Sequence, residues 1–231
     1  MWRPIRSNVL KKENEMKEVR LNPDLAGRMG QIYEEMERGY EKVAAQLEFS
    51  CDGCPDNCCD SYFQHHTFVE WGYLWLGFCQ LPEAQQQQIL ERSRLYIAGC
   101  EQAKARNERP QIMCPLNEKG RCLLYAHRLM VCRTHGVPAT MQRPDGQRLT
   151  FPGCFRCQEL VERTFPQESE ARSLVPRTER TLLLRRLAML ENELMDGNRR
   201  LYPRLQLTIA QMLVKGPPMV DTPHCERENR Q

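Results

Sequence analysis

The cysteines are the feature of this sequence that most constrains what it can fold into. The chain has 231 residues and 12 cysteines, and nine of these fall into three groups. The groups are Cys51, Cys54, Cys58 and Cys59; Cys114, Cys122 and Cys132; and the pair Cys154 and Cys157. Packing alone uses few cysteines, so this number indicates either disulfides or the thiolate ligands of a metal.

The start of the chain and the spacing of the thiols favour metal ligation. The first residues lead directly into a charged stretch and lack the apolar core and cleavage site of a secretory signal peptide. We therefore expect a cytoplasmic protein, whose thiols stay reduced. The adjacent Cys58 and Cys59 do not readily bridge to each other, whereas Cys-x-x-Cys turns place two thiolates on one ion.

The charge balance and the hydropathy exclude two classes of partner. There are 33 Lys and Arg residues against 30 Asp and Glu, a formal net charge of +3. This balance gives no electrostatic reason to expect a nucleic acid. No stretch approaches the ~20 consecutive apolar residues of a membrane-spanning helix, so we expect no membrane partner.

Apolar periodicity predicts four helices around the cysteine groups. Residues at three- and four-residue steps predict helices over 22–47, 82–105 and from 177 to Gly197, and a shorter one over 202–214. The aromatic-rich stretch 65–78 is typical of a buried core. Turn-forming residues place the cysteines of 51–60 on an irregular loop, and the turn 117–120 brings Cys114 and Cys122 together.

These patterns predict a mainly α fold. We expect a single domain of several helices with irregular cysteine-rich loops and one small β-hairpin, formed by 140–142 and 148–151. The domain covers 22–215. Residues 1–21 are expected to be a poorly ordered lead and 216–231 a flexible tail.

Two cysteine-containing stretches resemble a known family. They are Cys51-Asp-Gly-Cys54-Pro-Asp-Asn-Cys58-Cys59 and the segment from Cys114-Pro-Leu through Cys122-Leu-Leu-Tyr125 to Arg128 and Cys132-Arg133. This pattern, over a core motif of 51–135, is similar to the YkgJ-type cysteine-cluster proteins with their Cys-x-x-Cys-x-x-Cys-Cys run. The resemblance implies a domain that chelates zinc or iron, often as an iron–sulfur cluster. Flagellin lysine methylases contain a related domain.

The sequence departs from the family pattern at two places. Three residues rather than two separate Cys54 from Cys58, and Leu129 follows Arg128 where members commonly have proline. Neither change removes a thiol, but the extra residue alters the geometry of the first loop. Cys154 and Cys157 lie outside the core motif.

The number of thiols exceeds the needs of one centre. The seven cysteines that match the family are the predicted ligands, and a structural zinc or a [4Fe–4S] cluster needs only four thiolates. The surplus either joins Cys154, Cys157 or His135 at a second centre or has a catalytic or redox role. The last cysteine pair is equally typical of ligands and of a redox dithiol. Ligand type does not separate zinc from iron–sulfur, although adjacent cysteines with distant single ligands favour the cluster.

We expect simpler roles for the remaining cysteines, the other histidines and two arginines. Cys79, Cys100 and Cys225 are expected in the core or the tail, and His65, His66 and His127 are expected to be solvated or capping. Arg128 and Arg133 are expected to lie beside the thiolates and lower their pKa.

Three functions remain open at this point. The first is a metal-binding protein that holds an iron–sulfur cluster, or zinc, for electron transfer or redox sensing. The second is a protein-interaction module with structural zinc, which implies an unidentified protein partner. The third is an enzyme, either a thiol oxidoreductase using Cys154 and Cys157 or a methylase-like protein-modifying activity. No phosphate-binding loop, hydrolase elbow, zinc-protease motif or radical-SAM spacing is present, and no catalytic residue is assigned.

Overall fold

The structure of the protein is a computed structural model that describes residues 16–51, 54 and 58–221. This part of the chain contains seven α-helices: α1 (Pro23–Gln46), α2 (Phe68–Cys79), α3 (Glu83–Ala105), α4 (Met130–Thr134), α5 (Phe155–Thr164), α6 (Thr181–Leu194) and α7 (Ile209–Lys215). Its strands are short: β1 (Met16–Glu18), β2 (Asn117–Glu118), β3 (Arg121–Cys122), β4 (Ala139–Gln142), β5 (Arg148–Phe151), β6 (Thr178–Glu179) and β7 (Met219–Asp221). The mainly α prediction is confirmed.

The predicted first helix is confirmed, and its start has a clear local cause. The side chain of Asn22 accepts a hydrogen bond from the Leu25 N–H at 2.8 Å, and Pro23 follows in the first turn. The apolar stripe of α1 is buried, as its periodicity predicts: Leu25, Met29, Ile32, Tyr33, Met36 and Val43. The predicted second helix is confirmed as α3, which begins directly after Pro82.

The aromatic-rich segment forms α2 and lies in the core, as predicted. Its buried residues include Phe68, Val69, Trp71, Leu74 and Phe78. Val69 joins α1 and α6 in one apolar cluster, and the other four pack with residues of α3, α7 and the cysteine-containing segments. The core therefore extends from the helices to the backbone that carries the second cysteine group.

Strand pairing is more extensive than one hairpin. β4 pairs antiparallel with β5, with Ala139 opposite Phe151, and β6 adds to the other edge of β4 in parallel. β2 and β3 form a separate antiparallel pair. Strands of two residues have too few positions to show an alternating pattern, so the sequence did not indicate β2, β3 or β6.

The predicted boundaries of the lead and tail require correction at their inner ends. β1 pairs antiparallel with β7, with Lys17 opposite Val220, so residues from both segments are ordered together. Val19 and Val220 are buried, which explains why these segments attach to the helical body. The parts of the prediction on 1–15 and 222–231 lie outside the described residues.

The short helix predicted over 202–214 begins seven residues later than expected. Leu207 and His65 exchange two backbone hydrogen bonds, which keeps the chain extended before α7. Thr208 and Gln211 then form a capping box that starts the helix. A tertiary contact therefore prevents the helical pattern from propagating toward Tyr202.

The helices of the described residues do not meet the requirements of a bilayer. Within that part of the chain, none combines the length and apolar composition needed to cross a membrane.

Candidate metal centre

Four of the predicted ligands line a single cavity. Cys59, Cys114, Cys122 and Cys132 come from three separate segments and surround a cavity of about 50 Å³. The side chain of Cys58 lies outside the described residues. The second cysteine group and one member of the first therefore line the same cavity.

Backbone hydrogen bonds hold the first two segments together. The N–H of Cys114 donates to the carbonyl of Cys59 at 2.8 Å. Cys114 and Cys122 then flank the β2–β3 turn, in which Asn117 pairs with Cys122. Lys119 and Gly120 have φ values of 51° and 83°, the left-handed conformation that closes such a tight turn. The turn thus places both thiols on the same side, and α4 supplies Cys132.

Backbone N–H groups also point at two of the sulfurs. The backbone N–H of Leu116 lowers the pKa of the Cys114 thiol, and the backbone N–H of Leu124 lowers the pKa of the Cys122 thiol. In each case the donor lies two residues after the cysteine. Hydrogen bonds of this kind stabilise a thiolate and tune the metal that it binds.

Burial controls the protonation of these thiols. It raises the pKa of Cys114 to about 12 and also raises the pKa of Cys122 and Cys132, and neighbouring thiols add to the rise. Arg128 lowers the pKa of Cys122 and Cys132, as expected, but burial outweighs it. A cation that binds these thiols must therefore displace their protons.

Buried polar groups without a partner also face this cavity. His65 is 2% exposed and lines the cavity, and neither of its ring nitrogens has a hydrogen-bond partner among the described residues. Burial lowers its pKa to about 3, so the ring is neutral. The Nε of Arg128, another lining residue, is likewise unpaired within that part of the chain. The prediction that His65 is solvated or capping is wrong, because its segment pairs with Leu207 and packs beneath α7.

The residues around the cavity fit a thiophilic metal. Four soft sulfur donors, a neutral imidazole and a nearby guanidinium suit zinc or an iron–sulfur cluster. Among the described residues, however, no three His, Cys, Asp or Glu side chains form a group already arranged to hold a metal ion. Ligation at this cavity therefore requires side-chain adjustment, such as rotation of the thiols about χ1.

The other predicted ligands lie elsewhere. Cys51, Cys54, Cys154 and Cys157 do not line the cavity. Cys154 and Cys157 pack in one apolar cluster with Tyr40, whose hydroxyl lies 3.4 Å from the sulfur of Cys51. His135 packs edge-on against Phe63, with ring centroids 4.9 Å apart, and is not among the lining residues. His135, predicted as a possible ligand of a second centre, is therefore not placed with the four cavity thiols.

The remaining cysteines and histidines lie in different environments. Cys100 is buried, as predicted for a core residue, whereas Cys79 is exposed at the end of α2. His66 is exposed and bonds the Leu205 carbonyl at 2.8 Å, and His127 packs on the Tyr73 ring. Cys225 lies outside the described residues.

Arg133 has a structural role that its sequence motif did not reveal. It is 4% exposed and donates hydrogen bonds to the carbonyls of Tyr125, Ala126 and Arg128. It therefore fixes the path of the segment between Cys122 and Cys132. Sequence reasoning also missed Arg92, which lies on α3 and lowers the pKa of Cys114; no local pattern connects it to a cysteine more than twenty residues away.

Comparison with known proteins does not place the chain in a group. No family model matches it, and no curated protein and no solved structure is found to be similar.

Proposed function

We propose that this protein binds an iron–sulfur cluster through Cys59, Cys114, Cys122 and Cys132. The observation that carries the proposal is the convergence of four thiols from three segments on one cavity. Four thiolates are the full ligand set of a [4Fe–4S] cluster. The resemblance to YkgJ-type proteins supports the same class of cofactor.

Electrostatics support a negatively charged occupant. Arg92, Arg128 and Arg133 each lower the pKa of at least one cavity thiol. The Nε and Nη2 of Arg92 and the Nε of Arg128 are buried without a hydrogen-bond partner among the described residues. A cluster with four thiolates is an anion that offers acceptors to such groups, which compensates for the burial of unpaired donors.

The size of the cavity favours a cluster over a single ion. In the same measure, one water molecule needs about 10–15 Å³, and this cavity has about 50 Å³. It therefore has room for several atoms. When bound, a cluster would supply one-electron transfer, which is consistent with a role in electron transfer or redox sensing.

The test is the iron, acid-labile sulfide and zinc content of protein purified without oxygen. Wild-type protein is expected to contain about four irons and four sulfides per chain and to be coloured. The variant Cys122→Ser/Cys132→Ser should lose the iron and the colour. Cys79→Ser, a matched control at an exposed cysteine outside the cavity, should retain both.

Two results would contradict this assignment. Protein without iron, in which the double variant loses zinc instead, would favour the interaction module with structural zinc. Full iron and sulfide content in the double variant would show that these thiols are not the ligands.

A further inference from the structure

The start of α5 presents two thiols from one turn. Cys154 is the residue that precedes the helix, and its side chain makes no capping hydrogen bond. Cys157 lies in the first turn and is buried. A Cys-x-x-Cys segment at the start of a helix is one that can direct two sulfurs to one metal ion.

The first cysteine loop contains a second turn of the same kind. The N–H of Cys54 donates to the carbonyl of Cys51 at 3.2 Å, so the two cysteines are joined by one backbone turn. Cys51 is exposed and Cys54 is partly exposed. Neither lines the cavity that holds Cys59. In the first group of cysteines, Cys59 thus lines the cavity, whereas Cys51 and Cys54 do not.

Direct contacts bring the two turns together. The hydroxyl of Tyr40 lies 3.4 Å from the sulfur of Cys51. Tyr40 also packs directly on Gly136, whose carbonyl accepts the N–H of Cys154 at 3.0 Å. On the other side, the Cys54 thiol raises the pKa of the Arg156 guanidinium. The contacts of Tyr40 and Gly136 therefore link Cys51 to Cys154.

The electrostatics of the thiols agree with these contacts. Burial raises the pKa of Cys157 to about 12, and the neighbouring Cys154 and Cys51 raise it further. Burial likewise raises the pKa of Cys154, and so do Cys51 and Cys54. These effects agree with the packing of Cys154 and Cys157 in one apolar cluster with Tyr40, which contacts Cys51.

We propose that Cys51, Cys54, Cys154 and Cys157 bind one zinc ion at a second centre, separate from the cavity. Two Cys-x-x-Cys segments offer four thiolates, the ligand set of a closed tetrahedral zinc site. As at the cavity, these side chains are not yet grouped around one point and would have to rotate to bind the ion. Arg156 partly balances the charge of such a site. This site shares no thiol with the proposed cluster, so it stands or fails independently of the proposed function.

The second centre has a structural consequence for the first. Zinc at this site would join the loop of Cys51 to α5, two segments about a hundred residues apart in the chain. Cys59 follows in the same loop, so the zinc ion would help to fix the position of a cavity ligand. Metal binding of this kind contributes directly to the stability of the fold.

The experiment measures zinc and iron in four proteins grown with added zinc: wild type, Cys51→Ser/Cys54→Ser, Cys154→Ser/Cys157→Ser and Cys122→Ser/Cys132→Ser. We expect about one zinc per wild-type chain. Both variants of the second centre should lose that zinc, whereas the cavity variant should lose iron and keep the zinc. Retention of the zinc in both second-centre variants would overturn the proposal, whatever the iron content.

A second measurement uses wild-type protein and does not depend on the folding of variants. Metal-stripped, reduced protein is alkylated with and without Zn²⁺, and the modified cysteines are identified by mass spectrometry. Zn²⁺ should protect the four proposed ligands, while Cys79 reacts equally in both samples. Equal alkylation of the four cysteines with and without Zn²⁺ would overturn the proposal. Recovery of Cys154 and Cys157 as a disulfide-forming redox pair that binds no zinc would also overturn it.

Discussion

His65 shows how strongly tertiary burial changes a single residue. Its ring is almost fully enclosed, and both ring nitrogens lack a hydrogen-bond partner within the described part of the chain. Burial lowers its pKa from an ordinary 6.5 to about 3, and the nearby His66 contributes in the same direction. Between these pH values the unfolded chain therefore binds a proton that the folded chain does not bind.

This difference predicts a pH dependence of stability. The contribution of His65 is complete above pH 6.5 and is lost as the pH falls toward 3. Relative to His65→Phe, the free energy of unfolding of the wild type should fall by up to about 1.4 kcal/mol per pH unit in this window. Urea unfolding of both proteins at pH 7, 6, 5 and 4, at equal metal content, measures the difference. A constant difference between them would contradict the prediction.

At the scale of elements, the candidate sites depend on short segments rather than on the long helices. α4 has five residues and β2 and β3 have two each, yet they carry or flank three cavity thiols. α5 begins at a close approach of two backbones. Gly153 has a φ of 89°, and a Cβ atom there would lie 2.7 Å from the carbonyl oxygen of Gly136.

We predict that Gly153→Ala destabilises the protein by about 3 kcal/mol or more, since a left-handed conformation and a backbone clash are combined. Gly146→Ala is the matched control, because Gly146 has a similar φ of 85° and an added methyl group there would have no atom of the described residues within 4 Å. It should cost only about 1–2 kcal/mol. Chemical denaturation of both variants measures the difference. Equal losses would show that the contact with Gly136 is unimportant.

At the scale of the whole molecule, a buried carboxylate connects distant parts of the chain. Glu191 on α6 is 4% exposed and accepts the N–H groups of Phe68 and Val69 at the start of α2, at 3.0 and 2.8 Å. The same carboxylate pairs with Arg199 at 2.7 Å. One side chain thus holds the start of α2, α6 and the segment that leads to α7.

Removal of the Glu191 carboxylate should strongly reduce the stability of the fold. Glu191→Ala removes the acceptor of the Arg199 Nε and of two backbone N–H groups. We expect a loss of about 3–5 kcal/mol in the free energy of unfolding. Glu193→Ala on the same helix removes an exposed ion pair with Arg28 and should change stability little. Thermal and chemical unfolding of the two variants test this contrast. Similar losses would contradict the role assigned to Glu191.

The helical periodicity of the chain was sufficient to locate most of the scaffold. Buried positions recur at helical spacing along α1 and α3, and the aromatic residues of α2 are too apolar to remain exposed, so local pattern alone predicts them. The last helix was placed too early because the pairing of Leu207 with His65 is a contact between residues far apart in sequence. The pairing of β1 with β7 was missed for the same reason.

The sequence by itself determined that this is a mainly α chain with thiols grouped at ligand spacing, because both properties follow from short-range sequence patterns. Only the tertiary structure decided which thiols meet. It separates Cys59 from Cys51 and Cys54, although they share one loop, and it brings Cys154 to Cys51 across about a hundred residues. The physical reason is that packing of the helices determines the distances between segments, and no local pattern encodes those distances.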